Sequence, residues 1–262
     1  MKSSNPVLTG RGFTEGGGAA AQPRDLTADQ LEAAYARPAA GPARTGRMTT
    51  GDVVSRTSVT LGAVVAGVLA GWFALPERYG LAVGAALIAF VLAMVQSFKR
   101  SPSPVLIVGY ALFEGVFLGV LSRTYNEQWQ GAPVQAVLGT AAVFCGMLVA
   151  YRTRLVRVTA RYRRIGMAVA VAFLIAIVVN LLFSAFGGGD TLGIRTGGLG
   201  IAFCVLGILL GAFFLSLDFQ QVEEGVRRGV PRQHAWLAAF GLTLSLVWIY
   251  LELLRLVSLL RD

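Results

Sequence analysis

Charge is what this chain has least of: Asp, Glu, Lys and Arg make up 14% of its 262 residues, against 55% apolar residues. Soluble domains carry about 25% charged residues, so an ordinary water-soluble fold is excluded. His234 is the one histidine, which excludes a multi-histidine metal centre. Cys145 and Cys204, the two cysteines, lie inside apolar runs and read as small hydrophobes, not as a disulfide framework or a zinc site. Lys2 and Lys99 are the only lysines, so no lysine stands in the last apolar run to form a retinal Schiff base. There is no Gly-x-Ser-x-Gly, and His234 stands at a loop edge, which argues against an intramembrane serine protease. The chain reads as a non-enzyme without a cofactor.

What is present is apolar sequence in long pieces, with a mean hydropathy of +0.64. Uncharged runs cover 57–76 and 79–98. A third run, about 103–122, contains Glu114. The fourth covers about 133–151, the fifth 165–189 with Asn180 inside, and the sixth 196–217, ending against Asp218. The seventh, about 235–259, holds Glu252 and Arg255. About 20 residues of helix cross ~30 Å of hydrocarbon, and every run is long enough. Barrel strands would alternate polar and apolar residues, and these runs do not. An all-α integral membrane protein with seven transmembrane helices is expected over residues 51–262. Residues 1–50, rich in Gly, Ala, Pro, Thr and Arg, have no apolar run and read as a disordered cytoplasmic tail. The tail has no signal-peptide core, so the first helix is expected to be an uncleaved anchor.

The net charge of +9 is distributed in short segments between the runs, with no basic stripe and interleaved aromatics for nucleic acid. Seven Lys and Arg lie in 1–56, then come Lys99 and Arg100, six arginines from Arg152 to Arg164, and Arg227, Arg228 and Arg232. The other side holds Arg78, Arg123, Arg195 and Arg261. This asymmetry predicts a cytoplasmic N-terminus and an outside C-terminus in the cell membrane. The Arg152–Arg164 run sets topology and can also attract anionic lipid.

An ionised carboxylate is costly in hydrocarbon and usually faces a cavity, a partner or an ion. Asp218 ends the sixth run, and Glu252 lies about 17 residues into the seventh helix, roughly 25 Å along it at 1.5 Å per residue. Such acids suit a cation path or a proton sensor. Close together they would share a proton, and when ionised they would form a hard-oxygen calcium site. Arg255 shares a helix face with Glu252 and is a candidate counter-ion that would compete with a bound cation. Glu114, mid-span, belongs either to the ion path or to a hydrogen bond across the bundle, for instance with Asn180. The carboxylates Glu223 and Glu224 read as solvated loop residues.

Two segments, Glu114-Gly115-Val116-Phe117-Leu118-Gly119-Val120-Leu121 and Gln135-Ala136-Val137-Leu138-Gly139-Thr140-Ala141-Ala142-Val143-Phe144, resemble the transmembrane Bax inhibitor motif family. So do the acid at the end of helix six, Tyr250-Leu251-Glu252 and the final Leu259-Leu260-Arg261. The opening Met1-Lys2-Ser3-Ser4-Asn5-Pro6 resembles an actinobacterial branch. The resemblance covers about residues 50–262. It implies a seven-helix bundle with a central C-terminal helix and a pH-sensitive calcium leak. The proton-sharing acids would fall on Asp218 and Glu252, with a basic latch near the end of helix two at Lys99 or Arg100. Three features depart from the pattern: Glu252 stands where Asp is usual, Arg255 where Asn is frequent, and the stretch from Asp218 to Glu252 is about two helical turns longer. The extra length lets the two acids lie at different depths. The alternative expectation is a membrane scaffold that binds a membrane protease or other protein partner without conducting ions, through residues 1–50 or the arginine loop.

Overall fold

The structure, a computed structural model, describes residues 46–74, 79–99, 101–186 and 197–261. Arg78, Arg100, Arg195, residues 1–45 and the turn at 187–190 lie outside the described residues. Seven α-helices follow one another among those described: α1 (Thr50–Ala74), α2 (Tyr79–Phe98), α3 (Pro104–Gln128), α4 (Ala132–Arg152), α5 (Ala160–Phe186), α6 (Gly197–Arg228) and α7 (Ala235–Leu259). Each is long and apolar enough to cross a bilayer. Hydrocarbon offers no partner to a backbone N–H or C=O, so an apolar run closes its hydrogen bonds internally as a helix. Pro104 and Pro133 stand in first turns, where a missing N–H leaves no ladder bond unmade.

Two helices outrun their apolar cores. α6 passes Asp218 by ten residues to Arg228, so Asp218 is inside a helix and Glu223 and Glu224 are helical, not loop residues. The extension is made of helix formers and is laced by i,i+4 contacts: Gln220 donates to Glu224 at 3.0 Å, and Arg228 to Glu224 at 2.8 Å. It stops at Gly229, whose φ of 63° is the left-handed geometry of a helix end, with Pro231 just beyond. α3 likewise continues to Gln128, supported by Arg123–Glu127 at 3.0 Å.

α7 is the central helix. Of its apolar window 56% is buried, against 6% for α4 and 11% for α5, whose side chains face outward. It packs against α1, α3, α4 and α6. α1 and α3 cross at backbone contact. A β-carbon on Gly67 would lie 2.3 Å from the Leu112 carbonyl oxygen, and one on Gly115 would lie 2.2 Å from that of Val64. Small residues at such crossings let dispersion and close packing replace the hydrophobic drive that lipid does not supply.

At the end of the bundle where α1 begins, called here the near end, residues 46–49 run antiparallel to the α6–α7 connection. The Met48 N–H donates to the Val230 carbonyl at 2.9 Å and the Arg232 N–H to the Gly46 carbonyl at 3.0 Å. Met48 is 4% exposed and joins a core with Val53, Leu215, Phe219, Ala238 and Leu242. Thr49 and Asp52 cap α1 reciprocally: the Asp52 N–H donates to Thr49 Oγ1 and the Thr49 N–H to Asp52 Oδ2, both at 3.1 Å. Arg232 Nε then reaches Asp52 Oδ1 at 2.5 Å. Arg56 donates to the Arg232 carbonyl and lies 5.5 Å over the Trp236 ring.

Candidate functional site

The seam between α6 and α7 carries both candidate acids. The helices turn back on each other through Gly229–His234, so their residue numbers run in opposite directions along the seam. Ser245 Oγ donates to Asp218 Oδ2 at 2.6 Å. Asp218 Oδ1 lies 2.8 Å from the place a β-carbon on Gly241 would take, so a larger residue there would have to turn the carboxylate aside. Asp218 is half-buried, while Ser245 is buried.

Glu252 meets α6 elsewhere. Its carboxyl carbon lies 2.8 Å from a β-carbon built on Gly207, and Trp248 Nε1 donates to the Gly207 carbonyl at 3.0 Å. Gly207 is eleven residues before Asp218 on α6, as Gly241 is eleven before Glu252 on α7. At 1.5 Å per residue the two acids are separated by about 16 Å along the seam. Leu215 and Ile249, both fully buried, occupy the interval, with Ile249 Cγ1 only 2.3 Å from a β-carbon built on Gly211. A dry layer thus divides a near-end acid from a far-end acid. The shared proton implied for Asp218 and Glu252 does not form in this geometry, because α6 carries Asp218 past the apolar layer and not into it.

The remaining sequence candidates scatter. Glu252 is buried, with Arg255 half-buried one turn later on α7. Beside it Tyr250 and Ser122 share a hydrogen bond of 2.6 Å that ties α7 to α3. Glu114 is half-buried on α3. It is not joined to Asn180, whose Nδ2 is buried without a hydrogen-bond partner among the described residues. Asn180 is on α5, which packs on α6. Lys99 is exposed after the end of α2 and makes no ion pair among the described residues, so it does not latch Asp218 here. Arg100 lies outside the described residues. No cluster of three or more His, Cys, Asp or Glu forms a metal site among the described residues.

A family model described as Bax inhibitor 1 like matches residues 5–262. The chain belongs to that family. It is a multi-pass membrane protein, and the match takes in most of the N-terminal tail, which the resemblance in helices three, four and seven does not reach. A search of curated proteins finds no match.

In this Bax inhibitor 1 like chain the neutral polar groups along the near half of α7 were the part sequence reasoning missed. Thr60 and Thr243 bond to each other at 3.0 Å, both fully buried, between α1 and α7. Thr57 Oγ1 is buried without a partner among the described residues, one turn after Val53 on the face that packs on α6 and α7. Ser245, Thr243, Thr57 and Thr60 therefore line the near half of the central helix with hydroxyls. Their signal was hydroxyl residues recurring inside apolar runs, where a polar side chain needs a partner. The near-end pair Asp52–Arg232 was legible only as Thr49-x-x-Asp52, a capping pattern.

Proposed function

We propose that this protein is a pH-regulated cation leak of the bacterial cell membrane, with calcium as the conducted ion and protonation of intramembrane carboxylates as its gate. The N-terminus lies in the cytoplasm and the C-terminus outside, and no catalytic chemistry is assigned. The observation that carries the reading is Asp218: a half-buried carboxylate held inside a spanning helix by one hydroxyl donor, Ser245. An acid kept at such a position has a positive visitor or a proton as its natural partner. Asp218 and Glu252 act as separate stations, so a calcium ion meets one carboxylate at a time. It sheds part of its water for carboxylate and hydroxyl oxygens at each. The Leu215–Ile249 layer between them is the closed barrier. Glu114 lies at the edge of the path, Arg255 is the counter-ion of the far station, and Lys99 or Arg100 closes the near mouth in another conformation. The arginine run from Arg152 to Arg164 draws anionic lipid to the cytoplasmic rim.

Calcium flux into liposomes carrying the purified protein, at acidic and at alkaline pH, tests the reading. Wild type should conduct differently at the two, and Asp218→Asn, which mimics the protonated acid, should hold flux at its acidic value throughout. Flux no greater than in protein-free liposomes would end the channel reading. It would leave the alternative, a scaffold without ion conduction, which co-purification of a membrane protease or its substrates through residues 1–50 or the arginine loop would then support.

A further inference from the structure

At the near end, the last turn of α4, the α4–α5 loop and the extension of α6 enclose an open cavity of about 790 Å³. Arg152, Arg154, Arg157 and Arg227 line it. None of the four makes an ion pair with a carboxylate among the described residues. The cavity's two acids are already engaged. Glu223 Oε2 accepts a 2.5 Å hydrogen bond from the Tyr151 hydroxyl, and Glu224 accepts from Gln220 and Arg228. Four guanidinium groups, donors with fork geometry suited to phosphate oxygens, therefore face one space with their charge unspent.

We propose that this cavity binds the phosphodiester headgroup of an anionic glycerophospholipid from the leaflet at the near end. The claim rests on the attraction of the arginine run for anionic lipid proposed above, and narrows it to a bounded site that includes Arg227 from a different helix. A lipid suits the site better than a soluble phosphate because the walls are amphiphilic. Phe219, Val222 and Leu148 line the same cavity, and Leu148 is 42% exposed. Val149 and Leu155 continue that apolar surface outward, Leu155 at 82% exposure. Acyl chains would lie along these side chains while the headgroup stays among the arginines. Because α6 carries both Arg227 and Asp218, an occupied cavity ties the lipid to the helix that bears the near-end acid.

The test is native mass spectrometry of the full-length protein in detergent, supplied with phosphatidylglycerol or phosphatidylcholine. Wild type should retain phosphatidylglycerol in preference. The double variant Arg154→Gln/Arg227→Gln should weaken that retention about thirtyfold, while Arg161→Gln/Arg164→Gln, in the same run but outside the lining, should weaken it far less. Equal losses in both pairs would overturn the site and leave only diffuse attraction. Loss in the outer pair alone would do the same. Displacement of the lipid by an equal concentration of soluble glycerol phosphate would overturn the lipid assignment. A photoactivatable phosphatidylglycerol on wild type needs no variant to fold: cross-links should fall within 148–157 and 219–227, and cross-links confined elsewhere would sink the proposal.

Discussion

Ile249 occupies the space in which a side chain on Gly211 would have to stand: a β-carbon there would lie 2.3 Å from Ile249 Cγ1. The fit is what brings α6 and α7 close enough to exclude water between Asp218 and Glu252. Gly211→Ala should therefore force the seam open and lower the thermal midpoint in detergent. Ile249→Ala in the same chain, which removes Cγ1, should recover part of the loss. Ile249→Ala alone removes packed methylenes from a fully buried site, a change that costs about 2–5 kcal/mol, and should raise calcium flux by thinning the barrier. Unchanged flux in a folded Ile249→Ala protein would show that the barrier lies elsewhere.

Ser245 is the one hydrogen-bond donor to Asp218 among the described residues. A hydrogen bond to a charged group contributes about 1.5–3 kcal/mol, and this one acts on the ionised form of the acid. Ser245→Ala should displace the pH midpoint of flux. Ser258→Ala, which loses only a bond from its hydroxyl to the Arg255 carbonyl near the far end of α7, should leave that midpoint in place. A shared displacement would mean that α7 mutations act through packing and not through Asp218.

The strap at the near end separates packing from electrostatics. The Arg232 side chain is 61% exposed in its pair with Asp52, so solvent screens its end of the pair. Met48 is buried at 4%, and Met→Ala in a core costs about 2–5 kcal/mol. Met48→Ala should thus lower stability well beyond Arg232→Ala, read as thermal midpoints in the same detergent. The opposite order would mean that the ion pair, not the methionine, holds residues 46–49 to the α6–α7 connection.

The α1–α3 crossing offers a control built into one helix. Gly67 faces the Leu112 carbonyl, which is backbone and cannot swing aside, whereas a β-carbon at Gly62 meets nothing within 4 Å. Gly67→Ala should reduce folded yield and melting temperature, while Gly62→Ala should be neutral or slightly stabilising through better helix propensity, by up to about 1 kcal/mol. Similar losses at both would argue that the two helices do not cross here.

Much of the architecture was legible because insertion into a bilayer depends on local composition. The uncharged runs bounded by Arg56, Lys99, Arg152 and Arg164 became α1, α2, α4 and α5 with shifts only at their ends. The misreadings have one cause. Past Asp218 the chain is polar, and polarity alone suggests a loop, yet Gln220, Glu224 and Arg228 stand four apart and carry the helix on. Glu223 and Glu224 moved with it from loop to helix. Asn180 was a plausible partner for Glu114 only while the order of helices around α7 was open.

What the amino-acid string determined by itself was the number of spans, their all-helical nature and the presence of rare carboxylates within them. Transfer of side chains into hydrocarbon is nearly additive along a chain, and each segment carries its own answer. Tertiary packing alone decided which helix sits in the middle, that Ile249 and Leu215 fill the gap between Asp218 and Glu252, and that Arg227 joins the arginines of the α4–α5 loop. Those outcomes depend on how glycines such as Gly207, Gly211 and Gly241 let one helix slide against another, a property of pairs of segments that no single segment records.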